Sequence, residues 1–232
     1  MVKTAIILAG GLGTRLKKVN PILPKPLAPV HDRPFLEYLL DYWINQGISK
    51  FILSIGYQNQ MIIDRLGVTY KGVCIQYAVE EQALGTGGGL MISSKGLSEP
   101  FLVLNGDTFF EVDLNELYFY HENNSSEWTI SLFRTDNFQR YMPIELSSDG
   151  KIIQMKGKTK KSTYLANGGV YLINPSALKG FKKIYNIKIS LEDELLPEFL
   201  STGKALYGLE FSKGFIDIGI PEDYFRAQDF FS

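Results

Sequence analysis

The chain is poor in the residues that build disulfides, metal clusters and nucleophilic triads. Its 232 residues include one cysteine, Cys74, and two histidines, His31 and His121. One cysteine excludes an internal disulfide, and with only two histidines beside it a zinc-type ligand set is excluded as well. Cys74 stands in the apolar run Val73-Cys74-Ile75, where a small buried hydrophobe is expected. Such sparing use of cysteine fits a reducing cytoplasm. An excess of one charge sign is also missing: 24 Lys and Arg face 25 Asp and Glu, a formal net charge of −1. No broad basic field exists to hold nucleic acid or an anionic membrane. No apolar run reaches the roughly 20 residues that span a bilayer, and no signal-type leader is read at the start. Neither nucleic acid nor membrane is expected as a partner, so any phosphate-handling role needs a few cations placed locally.

The chain does have ample core material, with 45% of its residues hydrophobic. One domain of 232 residues is expected, about 1–125 forming one half and about 126–232 the other. Thr4–Ala9, Phe51–Ile55, Val73–Val79 and Phe101–Asn105 read as buried strands. Between them, Phe35, Tyr38, Leu39, Tyr42 and Trp43 keep helical spacing, with Pro34 as first helical residue and Gly47 as the stop. A weaker helix covers Asn59–Leu66, and a glycine-rich turn, Gly85-Thr86-Gly87-Gly88-Gly89, leads into another. Apolar strands alternating with helices predict an α/β fold with a mostly parallel sheet covered on both faces. The second half adds strands at Trp128–Phe133, Pro143–Leu146, Lys151–Met155 and Leu165–Ile173, read as a small antiparallel extension. Helical pieces follow at Leu191–Ser201 and Pro221–Phe231, and the stretch 156–161 is a lysine-rich loop.

The first strand runs into Leu8-Ala9-Gly10-Gly11-Leu12-Gly13-Thr14-Arg15-Leu16, followed by Pro24-Lys25-Pro26-Leu27. A glycine turn after a strand lets backbone N–H groups approach an anion at the carboxyl end of a sheet. The dinucleotide pattern fails, because Leu16 stands where its third glycine belongs, and no Gly-Lys-Ser/Thr completes a P-loop. The two segments resemble instead the signature of the sugar-phosphate nucleotidyltransferases, G-G-x-G-T-R-L followed by P-K-P. Lys18 and Asn20 depart from the proline and threonine common in the intervening loop. The resemblance implies a Rossmann-like mixed sheet and transfer of a nucleoside monophosphate to a sugar 1-phosphate with release of pyrophosphate. Arg15 offers a rigid fork of donors to phosphate oxygens, and Lys25 a compact charge on a proline-stiffened backbone. Leu8, Ala9, Gly10, Gly11, Gly13 and Thr14 would then cradle the nucleotide.

Further stretches match the same family. Asp107, in Asn105-Gly106-Asp107, and Asp217, in Asp217-Ile218-Gly219-Ile220-Pro221-Glu222, correspond to its two metal-binding aspartates, and Mg²⁺ suits such oxygen ligands. Asn105, Gly106, Gly85 and Thr86 fall on its nucleotide-binding segments. The loop from Ala78 to Gly88 wraps the base in the family; Glu80 or Glu81 could accept the paired N–H donors of guanine, whereas Gln82 would serve a pyrimidine. On the sugar side the resemblance implies Glu145, Asn167, Gly168 and Glu192, with Lys158 gripping the sugar phosphate and Lys156 as the substitute, since Gly157 replaces the usual glutamate.

Over nearly its whole length the chain is similar to the subgroup that transfers GMP from GTP to D-glycero-α-D-manno-heptose 1-phosphate for surface polysaccharide synthesis. Mannose 1-phosphate with GTP, or glucose 1-phosphate with dTTP or UTP, would use the same chemistry, and a non-catalytic nucleotide-sugar-binding subunit would use the same fold. The aromatic content leaves room for a homodimer interface.

Overall fold

The computed structural model describes residues 1–11, 13, 15–16, 22–157, 161–184 and 187–232, excepting the side chains of 182–184. The first half contains β1 (Thr4–Leu8), β2 (Pro29–Val30), β3 (Arg33–Pro34), α1 (Phe35–Asn45), β4 (Lys50–Ile55), α2 (Asn59–Leu66), β5 (Thr69–Tyr70), β6 (Val73–Val79), α3 (Gly85–Ser93), β7 (Phe101–Asn105), β8 (Thr108–Phe110) and α4 (Leu114–Asn123). The second contains β9 (Trp128–Thr135), β10 (Ile144–Leu146), β11 (Ile152–Met155), β12 (Tyr164–Ile173), α5 (Leu196–Ser201), β13 (Leu206–Glu210), β14 (Phe215–Asp217) and α6 (Pro221–Phe230).

Ten of the described strands form one large sheet, while β8 with β14 and β2 with β3 make two small antiparallel sheets apart from it. The parallel part of the large sheet runs β6-β4-β1-β7, and β12 joins antiparallel to β7. Beyond β12, β9 pairs antiparallel and β13 pairs parallel to β9. Strand residues alternate between two apolar layers. Ala5, Ile7, Phe51, Leu53, Leu102 and Leu104 face α1, α2, α4 and α6, while Ile6, Leu8, Ile52, Phe101 and Val103 face α3 and α5. Coverage on both faces is what the near-continuous apolar runs called for.

Two features of this sheet make a cleft. The chain passes from β1 outward through β4 and β6, then returns to place β7 on the other side of β1. The strand order reverses between β1 and β7, and crevices open at the carboxyl ends of such a pair. The second feature lies along β12. Val170 to Ile173 pair with β7, and Leu165 pairs with Ile144 of β10. Between them Ala166 to Gly169 have no strand on that edge among the described residues. The β9 register also shifts between Asn167 and Tyr171. The sheet therefore splits where β7 ends.

Three local expectations change. Gly85 to Gly89 are not a turn before a helix; they are the start of α3 itself. Glycine is a poor helix former, and tertiary packing overrides that here. A Cβ on Gly89 would lie 2.6 Å from Ser54 Oγ, and the Gly87 and Gly88 N–H groups donate to the Ile189 carbonyl at 2.9 and 3.4 Å. The helix has to run close to its neighbours. Cys74 is exposed rather than buried, because β6 lies next to the two-residue edge strand β5 and shows one face to solvent. Pro34 caps α1 instead of opening it, while Gly47, at φ +96°, follows its end as expected. The helix α4 and the strands β8, β13 and β14 are additions to the elements read from the sequence.

Gly85 combines a left-handed φ of +74° with a Cβ position 2.6 Å from the Ile189 carbonyl oxygen, whereas Gly96, at φ +84°, faces open space. Gly85→Ala should lower the free energy of unfolding by about 2–4 kcal/mol, the left-handed penalty plus a backbone clash. Gly96→Ala should cost only about 1–2 kcal/mol. Urea melts of the two variants check the difference, and equal losses would refute it.

Candidate active site

The glycine turn leaves β1 at the sheet's reversal point. The Ala9 N–H donates to the Ser54 carbonyl at 2.8 Å, and the Gly106 N–H donates to the Leu8 carbonyl at 3.0 Å. The ends of β1, β4 and β7 are thus laced together. A Cβ on Gly106 would lie 2.8 Å from the Leu8 carbonyl oxygen, so only glycine lets the two backbones approach this closely. The chain returns at Lys25, which opens a 3₁₀ turn after extended Pro24, with Pro26 and Leu27 buried beneath. Gly13, at φ +58°, packs against the Lys25 side chain.

Lys25 Nζ is bonded to Asp107 Oδ2, and Thr108 Oγ1 donates to Asp107 Oδ1 at 3.2 Å. Burial alone would raise the Asp107 carboxyl's pKa. The Lys25 charge and these hydrogen bonds overrule burial and hold it below the ordinary value of 3.8. Asp217 is brought alongside by the β8–β14 ladder, in which it pairs with Thr108, and the Ile218 N–H donates to the Asp107 carbonyl at 2.9 Å. The Gly219 N–H donates to Asp217 Oδ1 at 2.6 Å, and Arg140 reaches Oδ2 at 2.8 Å.

A cavity of about 530 Å³ is lined by Leu8 to Gly11, Gly13, Arg15, Lys25, Glu80, Gly85, Thr86, Asn105, Gly106, Asp107 and Asp217. A second, of about 260 Å³, occupies the split along β12 and is lined by Asn167, Gly168, Met155 and Lys156 among others. Arg15, Asn105, Thr108, Glu192 and Asp217 line both, so the cavities are one cleft with two chambers. Glu192 sits at their junction. Its Oε2 accepts from Thr86 Oγ1 at 2.8 Å, and its Oε1 accepts from Tyr171 Oη at 3.3 Å and Asn105 Nδ2 at 3.4 Å. Burial, then the Glu192 charge, pushes the Tyr171 phenol's pKa well up, keeping it a neutral donor. Asn105 Oδ1 is buried without a partner. Asn167 is held by Nδ2 donating to Tyr171 Oη at 2.8 Å and Oδ1 accepting from the Gly169 N–H at 2.9 Å.

Not every expected residue reaches the cleft. Glu80 does, but its carboxylate is already engaged: Oε1 accepts from Ser54 Oγ at 2.9 Å and Oε2 from the Leu84 N–H at 3.0 Å. It shapes the loop under Gly10. Glu81 is exposed and lines neither chamber, because the chain turns at the end of β6 and points successive side chains apart. Glu145 also lines neither chamber; on β10 its neighbour Ile144 faces the cleft, and alternation turns Glu145 away. Thr14 and Lys158 lie outside the described residues. Lys156 lines the second chamber and pairs with Asp193 at 2.5 Å. Arg140 and Lys188 also line the cleft and were not singled out from sequence. Arg140 stands in the stretch that runs to Glu145, so position along the chain was the only signal for it.

Asp107 and Asp217 offer only hard oxygen donors. Among the described residues no group of three or more His, Cys, Asp or Glu gathers as a metal cage. Two carboxylates facing a cavity of this size is the donor set expected for a divalent cation that completes its shell with substrate oxygens and water. The residues present fit such an ion.

Comparison with known proteins extends the match beyond the motifs. A family model described as nucleotidyl transferase matches residues 4–232. The chain is 40% identical over 226 residues to a D-glycero-α-D-manno-heptose 1-phosphate guanylyltransferase of Aneurinibacillus thermoaerophilus, covering 97% of this chain and 96% of that one. An enzyme of the same name from Campylobacter jejuni is 38% identical over 222 residues, covering 96% and 97%. The crystal structure of HddC from Yersinia pseudotuberculosis complexed with GMP-PN is 32% identical and matches all of both chains with a TM-score of 0.84. With the glycine-turn and aspartate motifs gathered in one cleft and the match running from residue 4 to the last residue, this chain belongs to the nucleotidyl transferase family.

Proposed function

We propose that the protein transfers GMP from GTP to D-glycero-α-D-manno-heptose 1-phosphate, giving the GDP-heptose and pyrophosphate. The observation that carries this reading is the convergence of Arg15, Lys25, Asp107 and Asp217 on one cleft with a second chamber beside it. Support for guanine and heptose comes from the relatives' substrates, since no free carboxylate of Glu80 or Glu81 faces the larger chamber. Residues 1–125 supply most of the nucleotide chamber and residues 126–232 most of the sugar chamber. A GTP-dependent reaction fits the cytoplasm, ahead of surface polysaccharide assembly.

A phosphate oxygen of the sugar 1-phosphate attacks the α-phosphorus in line, and the bond to the bridging oxygen breaks as pyrophosphate leaves. The nucleophile is already anionic, so no strong base is required, and the chain's work is positioning and charge compensation. Arg15, shared by both chambers, faces the triphosphate and stabilises the departing pyrophosphate. Lys25 exchanges one anionic partner, Asp107, for another, the α-phosphate. Asp107 and Asp217 would hold Mg²⁺, which when bound offsets charge on the reacting phosphates. Glu192, Asn167, Gly168 and Lys156 line the side that receives the sugar phosphate.

A panel of triphosphates and sugar 1-phosphates, scored by pyrophosphate release with and without Mg²⁺, tests the assignment. GTP with the manno-heptose 1-phosphate should be turned over fastest and only with the cation. Preference for mannose 1-phosphate, or for dTTP or UTP with glucose 1-phosphate, would replace the substrate assignment, and silence across the panel would favour a binding subunit. Arg15→Ala and Asp107→Ala should each lower turnover by at least about a hundredfold, the scale of losing one group that stabilises developing charge. Circular dichroism shows whether each is folded.

The Lys25–Asp107 pair also sets a pH signature. A carboxyl whose pKa is depressed in the folded state contributes stability that is full above its unfolded value and lost as pH falls through the lower, folded one. In Lys25→Met the charge that does most to offset burial is gone, so Asp107 should lose its proton only at higher pH. Denaturant melts across the acid range should show wild type outlasting Lys25→Met above the ordinary carboxylate range, with the gap closing as both proteins are acidified. A constant gap would show that the pair is not the cause.

A further inference from the structure

Among the described cleft residues, Arg140 pairs with two carboxylates at once. Its Nη2 lies 2.8 Å from Asp217 Oδ2 and donates to the Asp217 carbonyl at 2.9 Å, while its Nη1 is paired with Asp223 Oδ2. Asp223, in α6, is itself bonded through Oδ1 to Arg226 at 2.5 Å. The Arg140 side chain is 13% exposed and that of Asp223 9%, so these are partners held out of bulk water. Both terminal nitrogens are committed to carboxylates. Arg140 faces the second chamber but is not placed as a free grip for a sugar phosphate.

The loop carrying Arg140 is held from both ends. The Arg140 and Tyr141 N–H groups both donate to the Asn137 carbonyl at 3.1 Å, and Tyr164 Oη donates to the Tyr141 carbonyl at 2.9 Å. Tyr141 meets Phe133 edge-on at 4.9 Å between centroids. Phe133 in turn stacks on Phe215 of β14 at 3.8 Å, two residues before Asp217. One aromatic cluster therefore packs the loop and the strand that bears Asp217 against each other.

We propose that Arg140 is a positioning residue: anchored to α6 through Asp223, it fixes the rotamer of Asp217 so that this carboxylate and Asp107 present a preformed pair to the divalent cation. The Gly219 N–H holds Oδ1, Arg140 holds Oδ2 and the backbone carbonyl, and Asp217 has little freedom left. A planar fork can bridge two carboxylates at once, and a lysine ammonium on a flexible stem does not reproduce that geometry. The proposal rests on the metal-binding reading of Asp107 and Asp217 given above.

The test is Mn²⁺ binding in the presence of GTP, followed by electron paramagnetic resonance, for wild type, Arg140→Met, Asp217→Asn and the double variant. Arg140→Met should weaken Mn²⁺ by about tenfold, and the double variant should bind scarcely worse than Asp217→Asn alone, because residues acting through one another are not additive. Arg140→Lys should restore only part of the loss. Full, independent losses that multiply in the double variant would overturn the proposal and make Arg140 a ligand contact in its own right, as would wild-type affinity in Arg140→Met. If Arg140→Met does not fold, Asp223→Asn removes the α6 anchor while leaving the Asp217 contacts. It should weaken Mn²⁺ by about threefold, and unchanged affinity would overturn the anchoring role. Wild type that binds no Mn²⁺ with GTP would instead remove the metal reading itself.

Discussion

The pairing of two cleft aspartates with two cations, Lys25 with Asp107 and Arg140 with Asp217, is the interaction around which this molecule is arranged. The short β8–β14 ladder sets Asp217 beside Thr108, and the Ile218 N–H ties that strand to the Asp107 backbone. A carboxylate partly withdrawn from water loses solvation and needs a partner. The fold answers by giving each its own cation, Lys25 for Asp107 and Arg140 for Asp217. These cations come from widely separated parts of the chain, so the loop after β1, the loop after β9 and helix α6 are all bound to the cleft's geometry.

Compensation of this kind prepares the site for highly charged substrates. Asp107 and Asp217 are already paired with cations in the free cleft, so on the proposed reading anionic substrates would exchange partners there rather than create new unpaired charge. Lys25 is suited to the exchange because it is a compact charge on a flexible stem, and Arg140 to permanence because its fork spans two acceptors. The difference between them is visible in their surroundings: Lys25 lines the larger chamber with Asp107 as its one described charged partner, whereas Arg140 is locked by Asp223 and the Phe133–Phe215 stack.

The same economy governs the backbone. α3 begins in a glycine run that helix propensity disfavours, yet side chains there would strike Ser54 and the Ile189 carbonyl. The helix needs that proximity because Thr86 on its first turn touches both Glu192 and the Leu191 N–H, at 2.8 Å each. Local preference yields to the joint between the two chambers.

The sequence by itself determined the strands of the parallel core, the helices α1 and α2, and the glycine-turn, lysine and aspartate motifs that the structure gathers in one cleft. Those are short-range properties: apolar runs, helical spacing and residue types at close, fixed separations. What only the tertiary structure decided depends on which side of a strand or loop meets a partner distant in the chain. Cys74 is exposed because β6 lies beside the sheet's edge, Glu145 faces away because Ile144 faces in, and Glu80 is engaged by Ser54 and Leu84 while Glu81 points outward. Arg140 gained its place only when β14 and α6 were folded against its loop. Pairing across long separations is set by packing and by the need to neutralise buried charge, and a linear pattern carries no record of either.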